Sequence, residues 1–152
     1  IARFDPRRAD ALGHAGTFNN NVLTMAAGLA GLTDVLTEPA LTAVNQRGER
    51  LRERLNALFA ERGVALQASG LGSLLTLHAS DRPLRCAADL AGIDPRVKEL
   101  IFFDLLERGL WMARRGFMAL SLPFGDAQVD ELVAAMADVV DARRELLPGR
   151  GT

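Results

Sequence analysis

The feature that most limits what this chain can fold into is a long amphipathic segment bracketed by a proline and a glycine. Leu41, Val44, Leu51, Leu55, Leu58 and Phe59 recur at helical spacing between Pro39 and Gly63. The spacing predicts one helix from about Pro39 to Arg62, with the proline at its start and Gly63 at its stop. A helix with a single apolar stripe has to bury that stripe against a second layer. Two strand-like runs follow, Val64 to Ala68 and Ser73 to Ala79, joined by the turn Ser69-Gly70-Leu71-Gly72. Asp94-Pro95 opens a third helix that ends at Gly109, and short strands are expected at Leu110 to Ala113 and Phe117 to Leu122. The last helix starts near Gly125-Asp126, with Val129, Leu132, Val133, Met136 and Val140 on one face.

Ahead of these elements, residues 1 to 19 are irregular, punctuated by Pro6, Gly13 and Gly16. A helix begins at the Asn19-Asn20-Asn21 run, where an asparagine side chain caps the first free amides. Val22, Met25, Ala26 and Leu29 give it a helical period. Gly28 and Gly31 weaken it by about 1 kcal/mol each relative to alanine, and glycines kept there imply a neighbour packed very close. The order helix, helix, strand, strand, helix, strand, strand, helix leaves little room for parallel crossovers. The fold class expected is therefore α+β, a small antiparallel sheet with helices on one face.

Composition narrows the function classes. The chain has 152 residues, 49% hydrophobic and 24% charged, with a formal net charge of -1. That balance suits one globular domain or a large part of a bigger one, and it supplies no basic field for nucleic acid or an anionic membrane. The arginines at Arg7-Arg8 and from Arg47 to Arg54 read as solvated faces with acidic residues nearby. Cys86 is the only cysteine, so neither an internal disulfide nor a thiolate metal cluster can form. The apolar stretches fall short of the roughly 18–20 residues of a membrane span. The chain opens on Ile1 in IARFDPRR, which reads as the middle of a longer sequence, so a fragment is expected.

No HExxH, GxSxG, Walker loop or strand-borne GxGxxG occurs. His14 and His78 stand alone, without carboxylates at metal-ligand spacing, and read as structural. The Gly70-Leu71-Gly72-Ser73 turn reads as a hairpin rather than a phosphate cradle, because no helix follows it. Two places can carry chemistry. In HAGTFNNNVLTMAAG, His14 to Gly28, a small-residue turn, the Thr17 hydroxyl and free amides at a helix start make an anion site, or else an ordinary N-capped core helix. In Arg114-Arg115-Gly116, set between LWMA and FMALSL, two guanidinium forks are placed to hold a carboxylate, or else form an exposed loop.

At these residues the sequence resembles a known family. HAGTFNNNVLTMAAGLAGL is similar to the segment downstream of the catalytic lysine in class-III, pyridoxal-phosphate-dependent aminotransferases, the group that includes glutamate-1-semialdehyde 2,1-aminomutase. The family pattern there is G-T-F/L-x-x-N-P-L-x-x-A-A-G. The similarity runs on through GLGSLLTLH, LLERGLWMARRG and LSLP, nearly the whole chain. It implies the C-terminal part of a fold-type I enzyme, with residues 1–36 as the tail of the large cofactor domain and 37–152 as the small α+β domain. It also implies that Thr17, with the amide of Phe18 assisting, binds the phosphate of pyridoxal phosphate in the active site of a partner subunit, in a cytoplasmic homodimer. The substrates implied are an amino acid or amine and a keto acid acceptor.

Two departures stand out. Val22 replaces the family's proline after the asparagine. ARRGFMALSLP differs from the serine- and glutamate-containing aminomutase pattern and resembles aminotransferases acting on β-amino acids, in which an arginine of this region binds a carboxylate. Arg114 and Arg115 are equal candidates for that role. The lysine that forms the Schiff base is absent, so no catalytic residue is assigned and the chain alone is expected to be inactive. Lys98, the only lysine, lies in DPRVKELIFFDLL, which lacks the lysine-site sequence, and reads as a surface helix residue. The alternatives are the aminomutase itself, or a non-catalytic dimerisation module of the same fold.

Overall fold

The computed structural model describes residues 2–13, 16 and 21–151. Backbone contacts divide the chain into two units, Ile1–Glu38 and Pro39–Thr152. In the first, helix α1 spans Val22–Ala30 and continues as a π-helical turn over Gly31–Val35. Asn21 caps α1 as expected, its side chain accepting from the amides of Leu23 and Thr24 at 3.0 and 3.2 Å. The expected close neighbour is not there. A Cβ built on Gly28 or Gly31 meets nothing within 4 Å, and Val22, Leu23, Met25, Leu29 and Leu32 are all exposed. Helix α1 is nearly chargeless and apolar all round, the character of a helix that is ordinarily covered, and no described residue packs against its two glycines.

The second unit holds α2 (Glu38–Glu61), β1 (Gln67–Leu71), β2 (Leu74–His78), α3 (Pro95–Glu107), β3 (Phe117–Ala119) and α4 (Asp126–Ala142). The strands form one antiparallel sheet in the order β1-β2-β3. Ala68, Leu75, Leu77 and Met118 all point to one face and are buried there with Leu55, Phe59, Ile101, Leu105, Met136 and Val140. Helices α2, α3 and α4 thus share one face of the sheet, the α+β arrangement expected.

Helix α2 ends where glycine allows it. Gly63 has φ +63°, and the amides of Gly63 and Val64 return to the carbonyls of Ala60 and Phe59 at 3.0 and 3.1 Å. That left-handed closure satisfies the last carbonyls, and a side chain at Gly63 would strain it. Helix α3 stops the same way at Gly109, and starts on Asp94, whose carboxylate accepts from the Arg96 amide. The α2 stripe is buried as read, except Leu41, which is exposed. The arginines of α2 pair with α4: Arg47 and Arg50 with Asp126, Arg54 with Asp130, Arg62 with Asp141. These are solvated faces. Each such pair contributes little alone.

Strand boundaries differ from the sequence reading: β1 runs on through Ser69 and Gly70 to Leu71, where a turn was expected, and β3 ends at Ala119 rather than at Leu122. Val64 to Leu66 is buried but precedes β1, because its partner is the tail of the chain: Val64 bridges Gly149, and the Ala65 amide donates to the Pro148 carbonyl at 2.6 Å. Leu110 to Ala113 is not a strand. It runs extended with Met112 buried and Trp111 exposed, but only Ala113 meets the β3 edge, its amide donating to the Phe117 carbonyl at 3.0 Å. Alternating burial dictates extension. It does not supply a partner edge in register.

The hairpin β1-β2 is held down by α2. Gly48 lies so close to the Gly72-Ser73 turn that an added Cβ would fall 2.0 Å from the Gly72 carbonyl oxygen. The turn's amides donate to α2 side chains, Gly72 to Glu49 at 2.7 Å and Ser73 to Asn45 at 3.0 Å. The Gly72 amide, with Arg52 behind it, keeps the Glu49 carboxyl below the usual carboxylate range. On β2, His78 is buried, with Nε2 3.0 Å from the Ser69 hydroxyl. Burial, helped by the charge of Lys98, lowers its pKa.

Two outcomes are expected. Glycine to alanine inside a helix normally stabilises by about 1 kcal/mol, yet Gly48→Ala should destabilise by about 1–3 kcal/mol, as overpacked cores do. A lower urea midpoint at unchanged slope shows this, and an unchanged or raised midpoint refutes the close contact. For His78, the folded pKa lies below the unfolded value of about 6.5. Its contribution is therefore complete above that value and is lost as pH falls from there through the folded pKa. Stability should drop as pH falls below about 7, and His78→Gln should flatten that slope. A His78 titration in NMR at or above the ordinary value would contradict this.

Candidate functional site

The arginine pair sits where α3 hands over to the sheet. After Gly109 the extended arm Leu110–Ala113 reaches a tight turn closed by two bonds, Ala113 to Phe117 and the Gly116 amide to the Ala113 carbonyl at 2.7 Å. Gly116 then joins the ladder by accepting from the Leu77 amide at 2.9 Å. Arg114 and Arg115 occupy the turn itself, and both side chains are exposed.

The structure separates the two. Arg114 forms an ion pair with Glu99, and its guanidinium lies 5.6 Å from the centre of the Phe103 ring. Glu99 and Phe103 are one turn apart on α3, so that helix offers a carboxylate and an aromatic face to the same guanidinium. Arg115 has no ion pair or hydrogen bond among the described residues. Its guanidinium rests 5.4 Å from the centre of the Phe117 ring, a contact that leaves all its donors available.

Beside Arg115 lies a cavity of about 390 Å³ lined by Leu110, Trp111, Phe117, Phe124 and Leu132 as well as by Arg115. It opens because the Leu110–Ala113 arm leaves the β3 edge after one hydrogen bond, so the two diverge and apolar side chains line the gap. The size falls in the range of small-molecule sites, which combine apolar walls with few polar anchors. Sequence reading found the arginines and missed the cavity. Its one visible signal was the tryptophan alternating with Leu110 and Met112, which is 76% exposed.

The arm is anchored at its root by an ion pair between a buried aspartate and a half-exposed arginine. Asp104 of α3 receives two bonds from the Arg143 guanidinium, 2.8 and 2.9 Å long. Arg143 holds the Asp104 carboxyl below its ordinary range against the opposing effect of burial.

The other candidates divide as follows. Thr17, Phe18 and His14 lie outside the described residues. Lys98, read as a surface residue, is half-buried: its side chain packs so close to Gly116 that a Cβ there would lie 2.9 Å from the lysine Cδ. A lysine can bury its aliphatic stem in this way and keep its head in water. A small pocket joins it to His78, Leu90, Ile93 and Pro95. The stem of Lys98 is thus engaged in packing against the turn that carries the arginines. No helix among the described residues is long and apolar enough to cross a membrane.

With this geometry in view, comparisons with known proteins fall into one group. No protein-family model matches the chain. It is 49% identical over 148 residues to the beta-phenylalanine transaminase of Variovorax paradoxus, matching 97% of this chain and 34% of that one. The crystal structure of the beta-phenylalanine aminotransferase from the same organism superposes on 99% of this chain, and 35% of its own, with a TM-score of 0.92. More distant is the glutamate-1-semialdehyde 2,1-aminomutase of Anaeromyxobacter dehalogenans, 37% identical over 123 residues, which are 80% of this chain and 28% of the other. The chain thus spans about a third of the length of the relatives it matches, their C-terminal third.

Proposed function

The chain is homologous to class-III, pyridoxal-phosphate-dependent aminotransferases over about a third of their length, and on that premise we propose that it serves a transaminase acting on a β-amino acid. In this reading residues 1–36 end the large cofactor domain and 37–152 form the small domain. The partners are an amino acid, a keto acid acceptor and a second copy of the chain, in the cytoplasm. Thr17 and the Phe18 amide hold the cofactor phosphate across the dimer. The exposed apolar surface of α1 fits a helix covered by the remainder of such an enzyme.

Bound pyridoxal phosphate supplies an electron sink for amino transfer. None of the described residues provides its covalent link, so the contribution of this chain is binding and orientation. The observation that carries the reading is the inequality of the arginine pair. Arg114 is engaged by Glu99 and Phe103, whereas Arg115 faces a cavity with its donors free. Arg115 is therefore the carboxylate ligand, its planar fork fixing the substrate in one orientation. The aminomutase alternative draws on the lower identity, 37% over 123 residues against 49% over 148.

In the longer enzyme, Arg115→Lys should raise KM for a β-amino acid about tenfold to a hundredfold, because an ammonium cannot reproduce the bidentate fork. Arg114→Lys should change it little, and amines lacking a carboxylate should be indifferent to both. Normal kinetics in both variants would move the carboxylate elsewhere and restore the aminomutase reading. Adding pyridoxal phosphate to this chain should produce no lysine-linked absorption near roughly 410–430 nm. A stoichiometric band lost in Lys98→Ala would contradict the assignment of Lys98 to packing.

A further inference from the structure

The two arginines of the turn differ chiefly in what α3 does to them. The Gly116 amide closes the turn on the Ala113 carbonyl at 2.7 Å, and Gly116 has φ +87°, so Arg114 and Arg115 are the two central residues. One peptide separates them, and each carries a long guanidinium able to take a carboxylate. Helix α3 lies against one side of this turn. The Lys98 stem packs at Gly116. At the next residue along the helix, the Glu99 carboxylate takes the Arg114 guanidinium, which also lies over the Phe103 ring. Arg115 receives no carboxylate among the described residues and rests on Phe117, on the lining of the cavity. The pair of Glu99 and Arg114 adds little to folding, since its side chains are 36% and 64% exposed.

Without Glu99 the turn would carry two free cations side by side. A carboxylate can then settle on either one, and the two attachments hold the rest of the substrate in different places. We infer that Glu99 is a positioning residue: by engaging Arg114 it leaves the turn one open guanidinium, that of Arg115, and so one way for a substrate carboxylate to bind. The inference rests on the proposed role of Arg115 and adds to it the residue that decides between the pair. Glu99 touches no substrate in this arrangement. It acts by denying a competing attachment, which selects a binding mode as surely as a new attraction does.

The longer enzyme tests this in its first half-reaction, with a β-amino acid and no acceptor. An attachment that does not react withdraws enzyme from the productive one, so the limiting rate and the half-saturating concentration fall together. In Glu99→Gln both should drop by the same factor, about twofold where the two attachments are equally tight and more where Arg114 binds better, with their ratio kept. Amines lacking a carboxylate should react as with the parent. Arg114→Leu alone should leave both constants unchanged, and added to Glu99→Gln it should restore them, because it removes the competing cation. A helix residue that merely shaped the turn would not be rescued by this second substitution. In the 152-residue chain, the Arg114 Nε proton should exchange with water more slowly than that of Arg115 in NMR. Glu99→Gln should erase the difference while the urea midpoint stays that of the parent. Unchanged constants in Glu99→Gln overturn the inference, as does any change that Arg114→Leu fails to reverse, or equal exchange of the two arginines in the parent chain. The transaminase reading is judged separately. Impaired Arg115→Lys with an unaffected Glu99→Gln removes the role of Glu99 and keeps Arg115 as the carboxylate ligand, whereas normal kinetics in Arg115→Lys removes both roles.

Discussion

One side chain does most to make this sheet possible. Asn56, in the last third of α2, accepts from the Ala68 amide at 2.8 Å and donates to the Ala68 carbonyl at 2.9 Å. Ala68 lies in β1, the outer strand, and these are the backbone groups that a further strand would have paired. An edge with open donors and acceptors costs free energy when half-buried and invites another chain to add to it. The amide of Asn56 stands in for a missing strand over one residue. Glu49 and Asn45 do the same for the two amides of the following turn. The α2 helix thus covers β1 with its polar residues and packs beneath it with its apolar ones. With β1 fixed, β2 has a template, β3 pairs with β2, and the arginine turn is carried at the end of that series.

The tail of the chain meets the segment ahead of β1. Before β1 begins, Val64 bridges Gly149 and Ala65 donates to Pro148, and further on the Gln67 side chain reaches the Ser80 and Arg82 carbonyls at 2.7 and 2.8 Å. Helix α2 covers the open edge of β1 at Ala68. Gln67 and the tail tie the start of the hairpin to the residues after β2, the Gly151 amide donating to the Asp81 carboxylate at 2.9 Å.

What could be read from the sequence follows from the range over which each signal acts. Helices α2, α3 and α4 were legible because their stripes, caps and glycine stops are local: Asp94, Gly63 and Gly109 act within one turn of their own position. The sheet was legible as a set of extended runs but not as pairings. Val64 to Leu66 and Leu110 to Ala113 have the right residues, and their partners lie far along the chain or are met at one residue only. The glycines of α1 showed the opposite limit, because small residues announce close packing without saying what supplies it. At the site, the two adjacent arginines were alike in sequence. Glu99 and Phe103 distinguish them, and nothing local says that α3 lies beside the turn. The bond between Asp104 and Arg143, 39 residues apart, was beyond any local reading. Thr17 and Phe18 rest on the family resemblance alone.

The seam between α2 and α4 has an unusual property for a contact rich in charge. Every cation that crosses it comes from α2 and every anion from α4, and the pairs follow the chain in the same sense, from Arg47 with Asp126 to Arg62 with Asp141. A displacement of one helix along the other by a turn would still bring guanidinium to carboxylate. The charges therefore say which two helices meet and leave their relative height unspecified. That height is set instead by the common core to which α2 contributes Leu55 and Phe59 and α4 Met136 and Val140, since a close-packed interior does not tolerate a shift of one turn. Recognition and alignment are thus encoded by different residues on the same two helices, and either can drift in evolution without erasing the other.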